Sequence, residues 1–260
     1  MNCTKDNRRN SSAPLVRRRI APKTIQNLPL ASLLASLAGD PPIDHLKDLR
    51  HRTRNKSVAL YVQRAIDIVV AATVLLLAFP LMVAIGLLIR FDSRGSVIFS
   101  QWRVGKDGNP FLFRKFRTLY VDAKKRFPHL YAYSYSPEEI ERLQFKIPDD
   151  PRVTRVGQWL RESTLDELPN FWNVLTGDMT LVGPRPEIPE MLRYYDETTR
   201  LKFSVKPGVT GLAQISGRGR LKFLQTARYD AEYVKHRSFA LDMQIVFRTV
   251  YKVLLRDGAF

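Results

Sequence analysis

One long apolar run stands out from the mixed pattern of polar and apolar positions. From Ile68 to Ile89 the chain reads IVVAATVLLLAFPLMVAIGLLI, which contains no charged residue. A helix needs roughly 20 apolar residues to cross a bilayer core of about 30 Å. A helix in a soluble core is seldom apolar on every side for this length. The run therefore predicts a helix inserted in a membrane.

Pro80 lies near the middle of this run, where proline removes a backbone hydrogen bond and bends a helix. Basic residues flank both ends, and positive charge marks the cytoplasmic side of a membrane segment. These residues are Arg52, Arg54, Lys56 and Arg64 before the run and Arg90, Arg94, Arg103 and Lys106 after it. We therefore favour a re-entrant helix hairpin over residues 57–94, broken at Pro80. A straight spanning helix that tolerates its proline is the alternative.

Residues 1–56 show little periodicity and carry twelve Lys and Arg against four acids. This composition predicts a disordered basic extension. The apolar stretch Leu28 to Ala38 is interpreted as a weakly structured linker, with a short partner-binding helix as the alternative. No apolar run directly follows the first charges, so a signal peptide is not predicted.

Residues 95–260 alternate shorter apolar and polar segments, which predicts a cytosolic domain. The predicted strands are Val97–Gln101 and Pro110–Phe116. One predicted helix starts at Ser136, and two more cover Thr164–Leu175 and Glu187–Phe203. An apolar stripe from Phe239 to Leu254 has helical spacing and predicts a helix that packs on the domain or lies in the lipid interface. The fold class is therefore mixed α/β, mostly helical, with a re-entrant hairpin and interfacial amphipathic helices.

Composition adds a strong positive charge. The 260 residues include 42 Lys and Arg against 25 Asp and Glu, which gives a net charge of +17. Such an excess suits nucleic acid, anionic lipid headgroups or phosphorylated small molecules. Cys3 is the single cysteine and the four histidines lie far apart. A disulfide framework and a zinc site are therefore not expected.

An acidic pair, Asp166 and Glu167, lies in the run RESTLDELP. Thr164 and Glu167 match a capping box, and acids are favoured in the first turn of a helix. A structural cap is the commoner meaning of such a pair. A carboxylate at a helix start beside arginines also stays ionised, so it can attack phosphorus or hold a divalent cation. Local spacing leaves both meanings open.

Three basic segments could meet phosphate. In LVGPRPE, two prolines stiffen the backbone of Arg185, although a rigid surface turn has the same pattern. In the loop over residues 206–220, glycines allow a close approach to an anion, but the spacing is not that of a Walker A loop. The run FLFRKFRTLY over residues 111–120 could stack on nucleic acid, yet it is more typical of a half-buried strand whose charges meet anionic lipid.

In this order the segments resemble the bacterial sugar transferase family, the monotopic polyprenyl-phosphate phosphoglycosyl transferases, over about residues 58–260. The resemblance rests on RAIDIVVA, AFPLM, QWRVGKDGNPF, KFRTL, DDPRVTRVGQWLRESTLDELPNFWNVLTGDMTLVGPRPE and KPGVTGLAQISGRG. The chain departs from the family pattern at Phe79, at the turn over residues 94–96 and at Leu212, where serine, Gly-Gly-Pro and tryptophan are usual. None of these departures touches the acidic pair.

The resemblance implies a phosphoglycosyl transferase. Asp166 would attack the β-phosphate of a UDP-sugar, release UMP and leave a sugar-phosphoryl aspartate. Polyprenyl (undecaprenyl) phosphate would then take the sugar phosphate, in the first membrane step of exopolysaccharide or related glycan synthesis. Glu167 would act beside Asp166 as a catalytic residue, and the two carboxylates would hold Mg²⁺.

The resemblance also implies the remaining contacts and the location. The residues matching phosphate- or substrate-contacting positions are Arg161, Arg185, Gln214 and Arg218. The catalytic domain would lie on the cytoplasmic face of the bacterial inner membrane, with membrane lipid as a partner and without nucleic acid. A homo-oligomer is compatible with this interpretation.

Two other functions explain part of the sequence. A non-catalytic basic membrane adaptor explains the apolar run and the charge, but not the acidic pair together with GPRP and the glycine-arginine loop. Nucleic-acid binding explains the charge alone.

Overall fold

The computed structural model describes residues 53–145, 147, 149–217 and 220–254. The predicted basic extension over residues 1–56 lies almost wholly outside this range. Within it the chain forms eight α-helices and four short strands, together with several 3₁₀ turns. The predicted mixed and mostly helical fold class is thereby confirmed.

The first helix, α1, covers Thr53–Asp92. Its part Leu60–Asp92 is long and apolar enough to cross a membrane. In the middle of this part the apolar side chains lie outside the protein core, and Leu77 is 76% exposed. Apolar area on this scale is costly in water, which favours a lipid environment for this helix. The helix continues through Pro80 without a break, so the predicted hairpin stays a prediction.

The strands form two separate pairs. β1 (Ile98–Val104) and β2 (Pro110–Phe116) are antiparallel, with Val104 opposite Pro110, as the turn between them predicted. β3 (Thr180–Val182) and β4 (Gly208–Thr210) are parallel. The other helices are α2 (Ala123–Arg126), α3 (Pro137–Arg142), α4 (Arg155–Ser163), α5 (Asn170–Thr176), α6 (Leu212–Gly217), α7 (Phe223–His236) and α8 (Phe239–Leu254).

Local sequence signals predict several of these boundaries correctly. The Ser136 side chain accepts a hydrogen bond from the backbone of Glu139, and the Glu139 carboxylate accepts one from the Ser136 backbone, so α3 begins with a complete capping box. The apolar stripe near the end of the chain forms α8, as predicted.

Two predicted helices are wrong in their extent. The predicted helix Thr164–Leu175 is interrupted, because Thr164 has a positive φ of 64° and Pro169 lacks a backbone N–H. The predicted helix Glu187–Phe203 is replaced by two 3₁₀ helices, Pro189–Tyr194 and Thr199–Ser204. Between these two the Asp196 carboxylate accepts from the Thr199 backbone N–H, which competes with a continuous helix.

The domain packs on both ends of α1 through apolar contacts. Toward the start, Ala71 lies in a buried cluster with Phe111, Phe113, Val174 and Met179. Toward the end, Ile85 and Ile89 lie in a second cluster with Phe116 and Leu160. β2 contributes to both clusters, so one strand follows the helix from one contact to the other.

Hydrogen bonds reinforce the contact near the start of α1. Arg64 donates to the carbonyls of Val174 and Leu175 at the end of α5, at 2.5 and 2.7 Å. The buried carboxylate of Asp67 accepts from the Thr180 hydroxyl at 2.8 Å and from the Leu181 N–H at 3.1 Å. These contacts join α1 to the end of α5 and to β3.

A hydrogen bond from the other end of α1 reaches α4. The Asp92 carboxylate accepts from the Val156 N–H at 3.2 Å, at the N-terminus of that helix. A negative group is favoured there because the first N–H groups of a helix lack partners within it. The two ends of α1 are thus bonded to α4 and α5, the helices on either side of the acidic pair.

Candidate active site

The acidic pair lies in the turn between α4 and α5. Thr164 adopts the left-handed conformation at the end of α4, and Leu165–Glu167 forms a single 3₁₀ turn. This turn places Asp166 in a buried position, 7% exposed. Its Oδ2 lies 3.7 Å from Nζ of Lys115 on β2.

Glu167 faces the GPRP segment instead of capping a helix. Its Oε1 lies 2.9 Å from Nη2 of Arg185. Among the described residues, the Thr164 side chain makes no cap hydrogen bond to this turn, so the predicted capping box is wrong. The physical reason is that Thr164 already has a left-handed backbone, whereas a capping residue has an extended one.

The GPRP segment is held in place by its backbone. β3 leads into Gly183, and β4 approaches it so closely that a Cβ on Gly208 would lie 2.0 Å from the Gly183 nitrogen. Only glycine fits such an approach. Arg185 follows directly, with its side chain 45% exposed and aimed at Glu167.

A buried polar network lies behind this segment. The Tyr195 hydroxyl donates to Glu187 at 2.8 Å, and Lys202 donates to the same hydroxyl at 3.2 Å. The Lys202 ammonium pairs with Asp230 on α7 at 2.8 Å. Because Glu187 is two residues after Arg185, the network anchors the far side of the segment that presents this arginine.

Arg161 is oriented by a second acidic residue. The Arg161 Nη1 lies 3.6 Å from Oδ2 of Asp150, and its Nε donates to the Thr118 hydroxyl at 3.1 Å. Asp150 also takes two hydrogen bonds of 2.8 Å from the guanidinium of Arg152. Asp150 therefore holds two arginines beside the turn that carries Asp166.

Burial and neighbouring charges oppose each other at Asp166. Loss of water raises the pKa of its carboxyl group, and the charge of Glu167 raises it further. Lys115, Arg185 and Arg161 lower this pKa, but the net shift is upward. Burial also lowers the pKa of Lys115. The site therefore carries a carboxylate that is poorly hydrated yet faced by cations.

The structure brings together four of the residues predicted from the sequence: Arg161, Asp166, Glu167 and Arg185. Gln214 on α6 lies against Gly211, which approaches the Gly183 carbonyl before the GPRP arginine, and neither amide atom of Gln214 has a hydrogen-bond partner among the described residues. Arg218 lies outside the described residues.

Sequence reasoning missed Lys115, Asp150 and Arg152 as site residues. Lys115 lies in the FLFRKFRTLY run, which was interpreted as a strand with charges directed at lipid. Asp150 and Arg152 lie in the DDPR run, whose prolyl turn carried no chemical signal of its own. Lys115 pairs with Asp166, 51 positions away, and Asp150 pairs with Arg161, 11 positions away, and local patterns do not show such contacts.

The acidic pair is also the place where a cation would bind. Among the described residues, no group of three or more His, Cys, Asp or Glu side chains is arranged to hold a metal ion. Two adjacent carboxylates nevertheless fit Mg²⁺, which proteins commonly bind through one or two carboxylates together with substrate phosphates. The carboxylates of Asp166 and Glu167 therefore fit the donor chemistry that such an ion would require.

Together the fold and the site define a class of protein: a mixed helical and β domain bonded to both ends of one membrane-type helix, with a buried carboxylate among cations. Residues 58–256 match the family model described as bacterial sugar transferase, and the chain belongs to that family. The resemblance found in the sequence is thereby confirmed.

The match covers different shares of the named relatives. The chain is 37% identical over 205 residues to an undecaprenyl-phosphate galactose phosphotransferase of Salmonella typhimurium, covering 79% of this chain and 43% of the relative. It is 40% identical over 207 residues to a UDP-glucose:undecaprenyl-phosphate glucose-1-phosphate transferase of Escherichia coli, covering 76% and 41%. The exopolysaccharide production protein ExoY of Rhizobium meliloti is 36% identical over 198 residues, covering 76% and 88%. The chain thus spans less than half of the two named transferases and most of ExoY.

Proposed function

We propose that this protein is a phosphoglycosyl transferase that moves a sugar 1-phosphate from a UDP-sugar to polyprenyl phosphate, with release of UMP. The observation that carries the proposal is the buried carboxylate of Asp166, held between three cations beside a membrane-type helix. The Salmonella and Escherichia relatives are both named for undecaprenyl phosphate, and the Escherichia relative is also named for UDP-glucose, which supports these acceptor and donor classes. The ExoY relative supports a place in exopolysaccharide or related glycan synthesis.

In the first step, an Asp166 oxygen attacks the β-phosphorus of the UDP-sugar. A new P–O bond to the carboxylate forms while the bond to the bridging oxygen breaks, and UMP leaves with that oxygen. Poor hydration makes the carboxylate a better nucleophile, and nearby cations neutralise charge on the phosphoryl oxygens. Lys115, Arg161 and Arg185 are placed to do this.

In the second step, a phosphate oxygen of polyprenyl phosphate attacks the phosphorus of the sugar-phosphoryl aspartate. The acyl phosphate P–O bond breaks, the Asp166 carboxylate is regenerated, and polyprenyl diphosphate sugar is released. Dividing the exchange into two displacements lets a water-soluble donor and a lipid acceptor use one site in turn.

Mg²⁺ is proposed as the cofactor, held by Asp166 and Glu167. When bound, the ion would neutralise charge on the diphosphate of the donor. In the structure the Glu167 carboxylate is paired with Arg185 at 2.9 Å.

The proposed location is the cytoplasmic face of the bacterial inner membrane, with α1 re-entrant. From Asp67 to Asp92 a straight helix would be about 38 Å long, more than the hydrocarbon core of a bilayer. A straight spanning α1 would therefore place its two bonded ends on opposite sides, although one domain contacts both. The exposed side chains of Phe247, Val250 and Tyr251 on α8 support an interfacial position for that helix.

The nucleophile is tested by Asp166→Asn, which retains the shape of the side chain and removes its charge. Vesicles containing the protein are incubated with UDP-glucose or UDP-galactose labelled in the β-phosphate, with and without polyprenyl phosphate. We expect transfer to the lipid to fall at least about 1,000-fold, because the nucleophile is lost. Mass spectrometry of the unsubstituted protein with donor alone should find the sugar-phosphoryl group on the peptide containing residue 166.

Asp122→Asn is the matched control, because Asp122 is an exposed aspartate on the surface, paired only with Arg126 in the described contacts. We expect it to retain transfer. Full turnover by Asp166→Asn, or an unmodified peptide in a preparation proven to turn over, would contradict the proposed role of Asp166. A panel of UDP-sugars assayed by UMP release identifies the donor.

A further inference from the structure

Arg117 is a buried arginine just after β2, 5% exposed, that the proposed chemistry does not use. Its guanidinium faces the end of α1 and the loop that follows. It donates to the carbonyls of Ser93, Arg94 and Ser96 at 2.8, 3.0 and 2.6 Å, and to the Ser93 hydroxyl at 2.9 Å. A further contact of 3.5 Å reaches the Ile89 carbonyl in the last turn of the helix.

Three of these carbonyls, those of Ser93, Arg94 and Ser96, belong to the loop that follows α1, and the Ile89 carbonyl in the last turn also accepts from the Ser93 N–H. The last carbonyls of α1 have no partner within the helix, and they carry its partial negative charge. A planar guanidinium with five N–H donors can satisfy several carbonyls at once, which a lysine ammonium cannot do in the same geometry. Arg117 therefore holds the loop that leaves α1 and makes one long contact with the last turn of that helix.

The loop after α1 bends around the Arg117 side chain. Gly95 has a φ of +122°, and a Cβ there would lie 2.3 Å from Val121 and 3.6 Å from the Arg117 guanidinium carbon. The glycine lets the chain turn so that the carbonyls on both sides of it point at Arg117. The backbone N–H of Arg117 donates to Val97 as well, so main chain and side chain hold the same loop.

The strand that carries Arg117 also carries the site. Lys115, two residues earlier, pairs with Asp166, and Thr118, one residue later, receives a hydrogen bond from Arg161. Residues 115–118 thus contact both the loop that follows α1 and two residues of the site, Asp166 and Arg161. The position of this segment therefore sets where the acidic turn lies relative to the end of α1.

We infer that Arg117 is a positioning residue that sets the active site at the membrane depth where the phosphate of a lipid-borne acceptor reaches it. This inference rests on the proposed function. The water-soluble donor reaches Asp166 without regard to depth, whereas the acceptor phosphate is confined to the bilayer surface. Loss of Arg117 therefore impairs the lipid half of the reaction more than the donor half.

The test measures the two halves in the same vesicles of phosphatidylethanolamine and phosphatidylglycerol. The donor half is the exchange of labelled UMP into the UDP-sugar without acceptor, and the lipid half is the dependence of transfer on polyprenyl phosphate. For Arg117→Ala we expect exchange to change by less than about 3-fold and the KM for polyprenyl phosphate to rise at least about 10-fold. In detergent micelles, where depth is not defined, the difference between the halves should shrink.

Two further variants keep the test informative if Arg117→Ala fails to fold. Arg117→Lys retains the charge and the aliphatic stem but reaches fewer carbonyls, so we expect an intermediate KM. Gly95→Ala disturbs the same loop from the opposite side and should raise the same KM. Arg142→Ala, at an exposed arginine on α3, is the control and should change neither half.

The outcomes separate the inference from the function on which it rests. An unsubstituted protein with neither exchange nor transfer would refute the proposed function itself. An active protein in which Arg117→Ala lowers both halves by the same factor, or leaves the KM for polyprenyl phosphate unchanged, would refute the positioning role.

Discussion

At the scale of single residues, the site depends on how a buried carboxylate is balanced by its neighbours. Asp166 loses most of its water on folding, and this alone would favour its protonated form. The positive charges of Lys115 on β2, Arg161 on α4 and Arg185 in the GPRP segment offset part of the free-energy cost of burying the carboxylate. Burial raises the pKa of Asp166 and these cations oppose that rise, so its ionised form is poorly hydrated and little water must be removed before it attacks phosphorus.

This balance predicts the pH dependence of the donor half-reaction. Asp166 must be ionised to attack, so activity is lost as the pH falls through its raised pKa. Glu167→Gln removes a negative neighbour that raises this pKa, so the acid limb of kcat/KM should move to lower pH. The measurement is the pH profile of UMP exchange for both proteins.

The matched control for that profile is Glu190→Gln, an exposed glutamate beyond the GPRP segment. Its acid limb should coincide with that of the unsubstituted protein. An acid limb that stays in place for Glu167→Gln would show that another group controls the profile.

At the scale of elements, the close crossing of α4 over the end of β2 positions Arg161. A Cβ on Gly157 would lie 2.1 Å from the Thr118 carbonyl oxygen, closer than any packed side chain tolerates. The Thr154 hydroxyl accepts from the Gly157 N–H at 3.0 Å and begins the helix at this point. α4 therefore begins within one turn of the point where it crosses the end of β2. Arg161 lies about one turn beyond Gly157.

Gly157→Ala should separate α4 from β2 and destabilise the domain by about 1–3 kcal/mol, as overpacking of a close contact does. Thermal unfolding in micelles measures this, and UMP exchange should weaken with it because Arg161 moves. Gly86→Ala is the control, because a Cβ there meets Val97 at an ordinary 3.4 Å. Equal unfolding temperatures for the two variants would contradict a tight crossing at Gly157.

At the scale of the whole molecule, one domain is bonded to both ends of a membrane-type helix. Arg64 and Asp67 hold the start of α1 to α5 and β3, while Asp92 and Arg117 hold its end. The acidic pair lies between the two sets of contacts. Bonding at both ends fixes the position of the acidic pair relative to α1.

The re-entrant topology predicts the accessibility of both ends of α1 in cells. Asn55→Cys and Ser96→Cys, each in a Cys3→Ser background, should both resist an impermeant thiol reagent added outside and react after the membrane is opened. A cysteine in a known periplasmic loop of another membrane protein serves as the positive control. Labelling of only one of the two from outside would establish a spanning helix.

The sequence by itself determined the features that short-range physics controls. The apolar run specified a lipid-facing helix by its length, the GKDGNP turn specified the β1–β2 hairpin, and Ser136 specified the start of α3. The order of the motifs also indicated the family and the acidic pair at Asp166. These features depend on neighbouring residues, on backbone geometry and on burial averaged over many positions, all of which a sequence pattern records.

The tertiary structure alone decided which charges face each other. Glu167 has the spacing of a capping residue, but the left-handed backbone at Thr164 and the approach of Arg185 give it a different partner. Lys115 and Arg117 have the pattern of surface charges on a strand, yet one pairs with Asp166 and the other holds the loop that leaves α1. Such pairings depend on how separate elements pack, and a pairing between distant residues leaves no mark in the local sequence.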